Sequence, residues 1–273
     1  MSDTRQGISL VLVVKNVAST VSATISAWAS GMSALGREWE LLVIDDGSTD
    51  GTVAAATKAC DKVKLARLLP TPAPTGFGAC VRSALPQTRF PLLAIATTDY
   101  PYTPADLGRM VEKLGRKEMI YDRELEVVLV NGCRMGVPVP TAWRRLGWVI
   151  RKFARVALGL PLTPLTGWLG RGEHFRSWYA WFVFGNPFID PNCGLKLMRK
   201  SLIESFPIQS DGDFAHAEII AKTTFLTQLA DELPLTPKAV AVPSPLWSKI
   251  DRKRLFRHPQ FRVESTQPVD ITG

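Results

Sequence analysis

The chain has 273 residues, 46% of them hydrophobic, which is enough to bury a full core as one large domain or two merged lobes. Its formal net charge of +8 favours anionic partners: nucleotides, phospholipid surfaces or nucleic acid. Cys60, Cys80, Cys133 and Cys193 are scattered without CxxC or metal-ligand spacing, so neither a disulfide framework nor a zinc module is expected.

Ile8 to Val14 is a β-branched, Leu-rich run and reads as a first strand. Val21, Ile25, Trp28, Met32 and Leu35 recur at helical spacing, with Gly36 as a C-terminal stop. Leu41 to Ile44 is apolar without alternation and reads as a buried strand, ending abruptly in Asp45-Asp46-Gly47-Ser48. Thr49 or Asp50 can cap a helix from about Thr52 to Ala59, followed by a strand near Val63 to Leu69. A helix is expected from Gly76 to Leu85 and a strand from Pro91 to Ala96. Thr103-Pro104-Ala105-Asp106 then supplies a cap, a first-turn proline and an early acid for a helix to about Leu114. Strands alternating with helices predict parallel βαβ units.

The second half is less regular. Glu126 to Val130 reads as a strand and Trp143 to Leu160 as an amphipathic helix. Ser201 to Glu204 fits a capping box, and Ala215 to Leu229 reads as a helix. The Trp143 helix places Leu146, Ile150, Phe153, Ala157 and Leu160 on one face and a cluster of arginines and Lys152 on the other. An aromatic stretch through Trp168, Trp178, Trp181 and Phe184 follows. Cations mixed with indoles suit a membrane interface or self-association better than a nucleic-acid site, since no RNA-binding motif accompanies them. From Pro243 the chain is Pro-rich and then basic, an expected appendage spanning 243–273. There is no signal-peptide pattern, and no apolar stretch approaches the roughly 20 residues needed to cross a bilayer. The expected location is cytoplasmic, peripheral at the inner face of the membrane.

Ligands of open α/β sheets are met just past the carboxyl ends of strands. Four groups of residues fall at or near such ends. They are Val13, Lys15 and Asn16; Asp45 and Asp46; Thr97, Thr98 and Asp99; and Asn131-Gly132-Cys133-Arg134. Between them, Thr75-Gly76-Phe77-Gly78 can bring backbone N–H groups near a phosphate at a helix start. Further on lie Trp143-Arg144-Arg145, Asp190-Pro191-Asn192-Cys193-Gly194-Leu195-Lys196, and Ser210-Asp211-Gly212-Asp213 running to Glu218.

In this order, from about Ile8 to Leu235, these strings resemble the family 2 glycosyltransferases of the GT-A class. Within that family they are similar to the dolichol- and polyprenyl-phosphate sugar synthases. The resemblance implies an α/β, Rossmann-like GT-A fold: a mixed, mostly parallel sheet flanked by helices, with residues 143–189 as an amphipathic aromatic and basic insertion. It implies one domain over 1–242, divided into a nucleotide-sugar half (about 1–116) and an acceptor half (about 117–242). Val13, Lys15, Asn16, Asp45, Asp46, Gly76, Gly78, Thr98 and Asp99 would then line the donor site. Arg134, Arg144, Arg145 and Lys196 would bind the acceptor phosphate. Asp99, Arg134 and Asp213 are the implied catalytic residues.

The family's Asp-x-Asp motif holds Mg²⁺ or Mn²⁺ on the donor diphosphate. Here Thr97 replaces its first Asp, leaving Asp99 as the metal carboxylate and weakening the expected metal site. Val13, Lys15 and Val17 depart from the family's Pro-x-Tyr-Asn-Glu, and Lys196 stands where Arg is usual. The implied reaction is inverting transfer of a sugar from a nucleoside diphosphate to a polyprenyl phosphate at the membrane surface. Partners would include a second copy or an anchoring membrane protein, and no nucleic acid. The alternatives are a hydroxyl acceptor, with Asp213 or Asp211 as base, or a catalytically weak nucleotide-sugar-binding scaffold.

Overall fold

The computed structural model describes residues 6–69, 76–120, 123–134, 188–238 and 248–261. The expected Trp143–Leu160 helix, Arg144, Arg145, the aromatic stretch and Thr75 lie outside these residues. The elements are β1 (Ile8–Val14), α1 (Val21–Ala34), β2 (Trp39–Asp45), α2 (Thr52–Cys60), β3 (Ala66–Leu69) and α3 (Phe77–Ala84). Then follow β4 (Leu92–Thr97), α4 (Pro104–Lys113), β5 (Lys117–Ile120), β6 (Arg123–Cys133) and β7 (Lys196–Arg199). The last described are α5 (Lys200–Glu204), α6 (Ala215–Phe225), β8 (Leu229–Pro234) and α7 (Lys249–Arg257).

One sheet runs in the order β3-β2-β1-β4-β7-β6-β5, with β8 also paired to β6. β1 lies at its centre, parallel to both β2 and β4, and every one of its residues is buried. Alternation sends Ile8, Leu10, Leu12 and Val14 to a core with α1, α2 and α4, while Val11 and Val13 enter a second core with α3, α5 and α6. The chain winds β1-β2-β3 to one side and then returns to place β4 on the other. The reversal lies between β1 and β4, and their carboxyl ends open onto it.

The second half supplies the antiparallel strands of the expected mixed, mostly parallel sheet. β7 is antiparallel to β4 and to β6, so β6 runs in the same sense as β4. Residue 134, at the end of β6, therefore arrives at the same sheet edge as residues 97–99. The segment entering β7 starts from that edge as well. β5 and β6 form an antiparallel pair, and β8 is parallel to β6.

Local chemistry explains several boundaries. Thr103 and Asp106 form the expected reciprocal capping box of α4. At α2 the Asp50 carboxylate accepts from Thr52 N at 2.9 Å, so Asp50 rather than Thr49 holds that start. The capping box expected at Ser201–Glu204 does not form. The helix begins one residue earlier, at Lys200, whose N–H bonds Pro91 O at 2.8 Å. The helix expected to Leu229 ends at Phe225, because Thr227 adopts φ 54° and the chain turns into β8. Part of the expected appendage packs back on the domain. Ser248 caps α7, Leu255 is buried, and Arg254 Nη1 donates to Gln209 O at 3.2 Å.

Candidate active site

A cavity of about 300 Å³ opens at the topological reversal, lined by Val13 and Val14 of β1, Lys15 and Val17 just after it, Asp46 after β2, and Thr97, Thr98 and Asp99 at the end of β4. Phe77, Asn192, Asp213 and His216 complete its wall. Sequence reasoning thus placed Val13, Lys15, Asp46, Thr98, Asp99 and Asp213 at one site. It missed Phe77, Asn192 and His216 as wall residues.

Asp46 is the junction of the donor side. Its Oδ2 accepts from Lys15 Nζ at 2.9 Å and its Oδ1 from Gly76 N at 2.7 Å. The hydrogen bond to Asp46 raises the Lys15 pKa, so the ammonium remains charged, while its side chain is 54% exposed at the cavity mouth. Asp45 and Asn16, expected beside it as donor ligands, are engaged inside the loop. Asp45 accepts from Ser48 N at 2.8 Å and Ser48 Oγ at 2.5 Å. Asn16 takes φ 50° and accepts from Thr49 N at 2.9 Å. Both build the turn that presents Asp46.

Gly76 and Gly78 were expected to approach phosphate; here they let two backbones meet. A Cβ on Gly78 would lie 2.0 Å from Ser210 O, and one on Gly76 2.6 Å from Asp211 O. The 208–211 loop is pinned from both sides. Arg82 donates to Ile208 O at 2.8 Å and Asp211 Oδ1 at 2.5 Å. The buried Glu218 accepts from Gln209 N at 2.7 Å and Ser210 N at 2.8 Å, and pairs with buried Lys222 at 2.8 Å. This loop leads to Asp213, which is exposed at the cavity wall. His216 stacks on Phe77 with ring centroids 3.6 Å apart. Burial, with the charges of Lys196 and Arg134 behind it, holds its pKa well below the usual imidazole range, so it is neutral.

Beneath the cavity lies a charged layer. Arg134, 1% exposed, makes a fork with Asp190: Nε to Oδ2 at 2.7 Å and Nη2 to Oδ1 at 2.8 Å. Its Nη1 reaches Asp99 Oδ2 at 2.7 Å. Lys196 is fully buried, its Nζ held by Asn131 Oδ1 at 2.5 Å, Cys193 O at 2.9 Å and Pro191 O at 3.2 Å. Both cations were expected to touch an acceptor phosphate. Both instead sit below the cavity surface, tied to protein acceptors, where they position the Asp190–Leu195 loop and Asp99. Asn131 Nδ2 and the backbone N–H groups of Ile189 and Asp190 converge on Glu232, which sequence reasoning had not singled out. No local pattern marks it; its partners come from two distant segments.

Burial raises the Glu232 pKa from 4.5 to about 7 and lowers that of Lys196 from 10.5 to about 8. Between pH 4.5 and 7 the folded state keeps a proton on Glu232 that the unfolded chain has lost, so this group makes stability fall as pH rises. Lys196 has the opposite sign: between pH 8 and 10.5 the unfolded chain holds the extra proton, and stability rises with pH. Glu232→Gln is therefore expected to gain stability relative to the wild type as pH increases from 4.5 to 7, read by urea unfolding. Parallel pH profiles for the two proteins would disprove this.

The donor set at Asp99 does not fit a divalent ion. Oδ2 faces the Arg134 guanidinium, and Oδ1 accepts from the hydroxyls of Thr97 and Tyr102, the latter at 3.2 Å. A dication at that carboxylate would be repelled by the guanidinium already there. Gly194 packs so close that a Cβ on it would strike Thr97 Oγ1 at 1.8 Å and Asp99 Oδ1 at 2.9 Å. Among the described residues, no three His, Cys, Asp or Glu side chains gather as a metal-ligand group.

Residues 9–132 match the model of glycosyl transferase family 2. That segment, a little under half of the chain, is similar to the family 2 glycosyltransferases. The chain is also 26% identical over 209 residues to dodecaprenyl-phosphate galacturonate synthase from Rhizobium johnstonii. The match takes in 75% of this chain and 51% of that protein, so the chain spans about half the relative's length. Among solved structures, mannosyl-3-phosphoglycerate synthase from Rubrobacter xylanophilus is similar at a TM-score of 0.58 and 18% identity, covering 92% of this chain and 70% of that one. The M. tuberculosis glucosyl-3-phosphoglycerate synthase is similar at 0.54 and 18%, covering 87% and 73%. At such identities these structures show the shared GT-A fold alone. The M. tuberculosis enzyme has been crystallised with Mn²⁺, uridine diphosphate and phosphoglyceric acid. No described helix of the present chain is long and apolar enough to cross a membrane.

Proposed function

We propose that the protein is a glycosyltransferase that moves a sugar from a nucleoside diphosphate to a polyprenyl phosphate at a membrane surface, inverting the anomeric carbon. The observation that carries the reading is the cavity at the β1/β4 reversal, where Lys15, Asp46 and Asp99 converge at the ends of three parallel strands. The relative whose name specifies dodecaprenyl phosphate supports the acceptor. In the reaction, an acceptor phosphate oxygen forms a new bond to the anomeric carbon. The bond to the donor diphosphate breaks, and its electron pair leaves with the nucleoside diphosphate. A phosphate acceptor is already anionic at neutral pH, so no general base is needed. What the site must supply is orientation and charge stabilisation.

Asp46 would hold the nucleoside and Asp99 would accept from donor hydroxyls. The Arg134–Asp190 fork, with Lys196 behind it, would keep Asp99 and the Asp190–Leu195 loop in place. Arg144 and Arg145 remain proposed acceptor-phosphate contacts, and the basic and aromatic segment of 143–189 the membrane-facing part, on the cytoplasmic side. Dimerisation or an anchoring membrane protein would serve the same end. The test is transfer of label from radiolabelled nucleotide sugars into organic-extractable polyprenyl phosphate. Label in the lipid phase, reduced by Asp99→Ala, is expected. Turnover indifferent to added lipid phosphate would instead favour a hydroxyl acceptor with Asp213 as base, a reading that the position of Asp213 on the cavity wall supports.

A further inference from the structure

We propose that the chain's own cations take the place of a divalent ion, with the Arg134 guanidinium compensating Asp99 and the Lys15 ammonium meeting the donor diphosphate. The inference rests on the donor reading given above. A metal in such a site does two things: it neutralises the strand-end carboxylate, and it takes up the charge that grows on the leaving diphosphate. The geometry separates these tasks. Arg134 Nη1 lies 2.7 Å from Asp99 Oδ2 and is anchored by its fork to Asp190, so the carboxylate that would repel a diphosphate is already paired.

Arg134 itself is buried and cannot reach a ligand in the cavity. Lys15 can. It follows the last residue of β1, lines the same cavity as Thr97, Thr98 and Asp99, and has an exposed ammonium 2.9 Å from Asp46 Oδ2. The hydrogen bond to Asp46 raises the Lys15 pKa further, so the ammonium is charged at the cavity mouth. As the anomeric C–O bond breaks, the electron pair passes to the diphosphate oxygen, and the ammonium meets that charge without giving up its proton. No co-reactant is required. Thr97 in place of a carboxylate fits the same scheme, since a hydroxyl adds no negative charge beside the diphosphate.

The test is calorimetric titration of the full chain with uridine and guanosine diphosphates, in EDTA and in Mn²⁺, with Mn²⁺ binding followed separately by electron paramagnetic resonance. The expected result is binding of one diphosphate with the same affinity in both buffers, and no Mn²⁺ held by the chain alone. Lys15→Ala is expected to weaken that binding about tenfold in either buffer, the loss of one charged hydrogen bond, and Lys15→Arg to restore most of it. Binding confined to Mn²⁺, or Mn²⁺ retained by the wild type and lost in Asp99→Asn, overturns this inference and leaves the donor reading intact. Neither diphosphate binding in either buffer overturns both. Unchanged affinity in Lys15→Ala removes Lys15 from the scheme.

Discussion

Asp190→Asn is expected to destabilise the fold by about 3–5 kcal/mol, the usual loss when one member of a buried ion pair is removed. Arg134 is 1% exposed and Asp190 fully buried, so no solvent can replace the lost carboxylate. The Asp190 carboxylate also accepts from Arg134 N at 3.0 Å, and an amide would turn a donor towards one of these N–H groups. For a chain of this size the loss corresponds to a fall in Tm of roughly 10 °C. Asp99→Asn is the control. It leaves the Asp190 fork intact and lies at the cavity edge, so about 1 kcal/mol is expected. Equal melting curves for the two variants would show that the fork contributes nothing special to the fold.

The contrast between these two carboxylates also marks what could be read from the sequence. The placement of Asp99 and Asp46 on the cavity was legible because it is local: each follows an apolar run, at a strand end of an open sheet. The Thr103–Asp106 cap and the Gly36 stop were legible for the same reason. The burial of Arg134, Lys196 and Asp190 was not. Arg134 meets carboxylates 35 positions before and 56 positions after it, and such a pairing leaves no trace in any short window. Their charge made them look like surface ligands, whereas the fold uses them as internal struts.

Two of the three missed strands, β7 and β8, have equally plain causes. β7 is only four residues, Lys-Leu-Met-Arg, and carries a charge at either end. β8, Leu-Ala-Asp-Glu-Leu-Pro, pairs with β6 despite two acids. Its Glu232 is retained because three N–H donors converge on it. The two glycines of the 76–78 turn are legible as a place of close approach, and the structure shows the 210–212 backbone making one. A close approach to phosphate and a close approach to another backbone demand the same missing Cβ, and only the position of the 208–211 loop distinguishes them.

Asp46→Asn is expected to raise the donor KM by about 10- to 100-fold with kcat little changed, corresponding to a charged hydrogen bond of about 1.5–3 kcal/mol. The argument is one of timing. A carboxylate on the nucleoside makes the same contact before and during transfer, so its loss weakens ground state and transition state alike. The Asn oxygen still accepts from Gly76 N, so α3 and the loop stay in place and Tm is nearly unchanged. Lys15 should behave differently, because the charge it meets grows only as the diphosphate leaves; its removal lowers kcat as well. The two side chains touch at 2.9 Å, so the double variant is expected to fall short of the sum of the single effects. A fall in kcat at unchanged KM in Asp46→Asn would move Asp46 from the nucleoside to the reacting diphosphate.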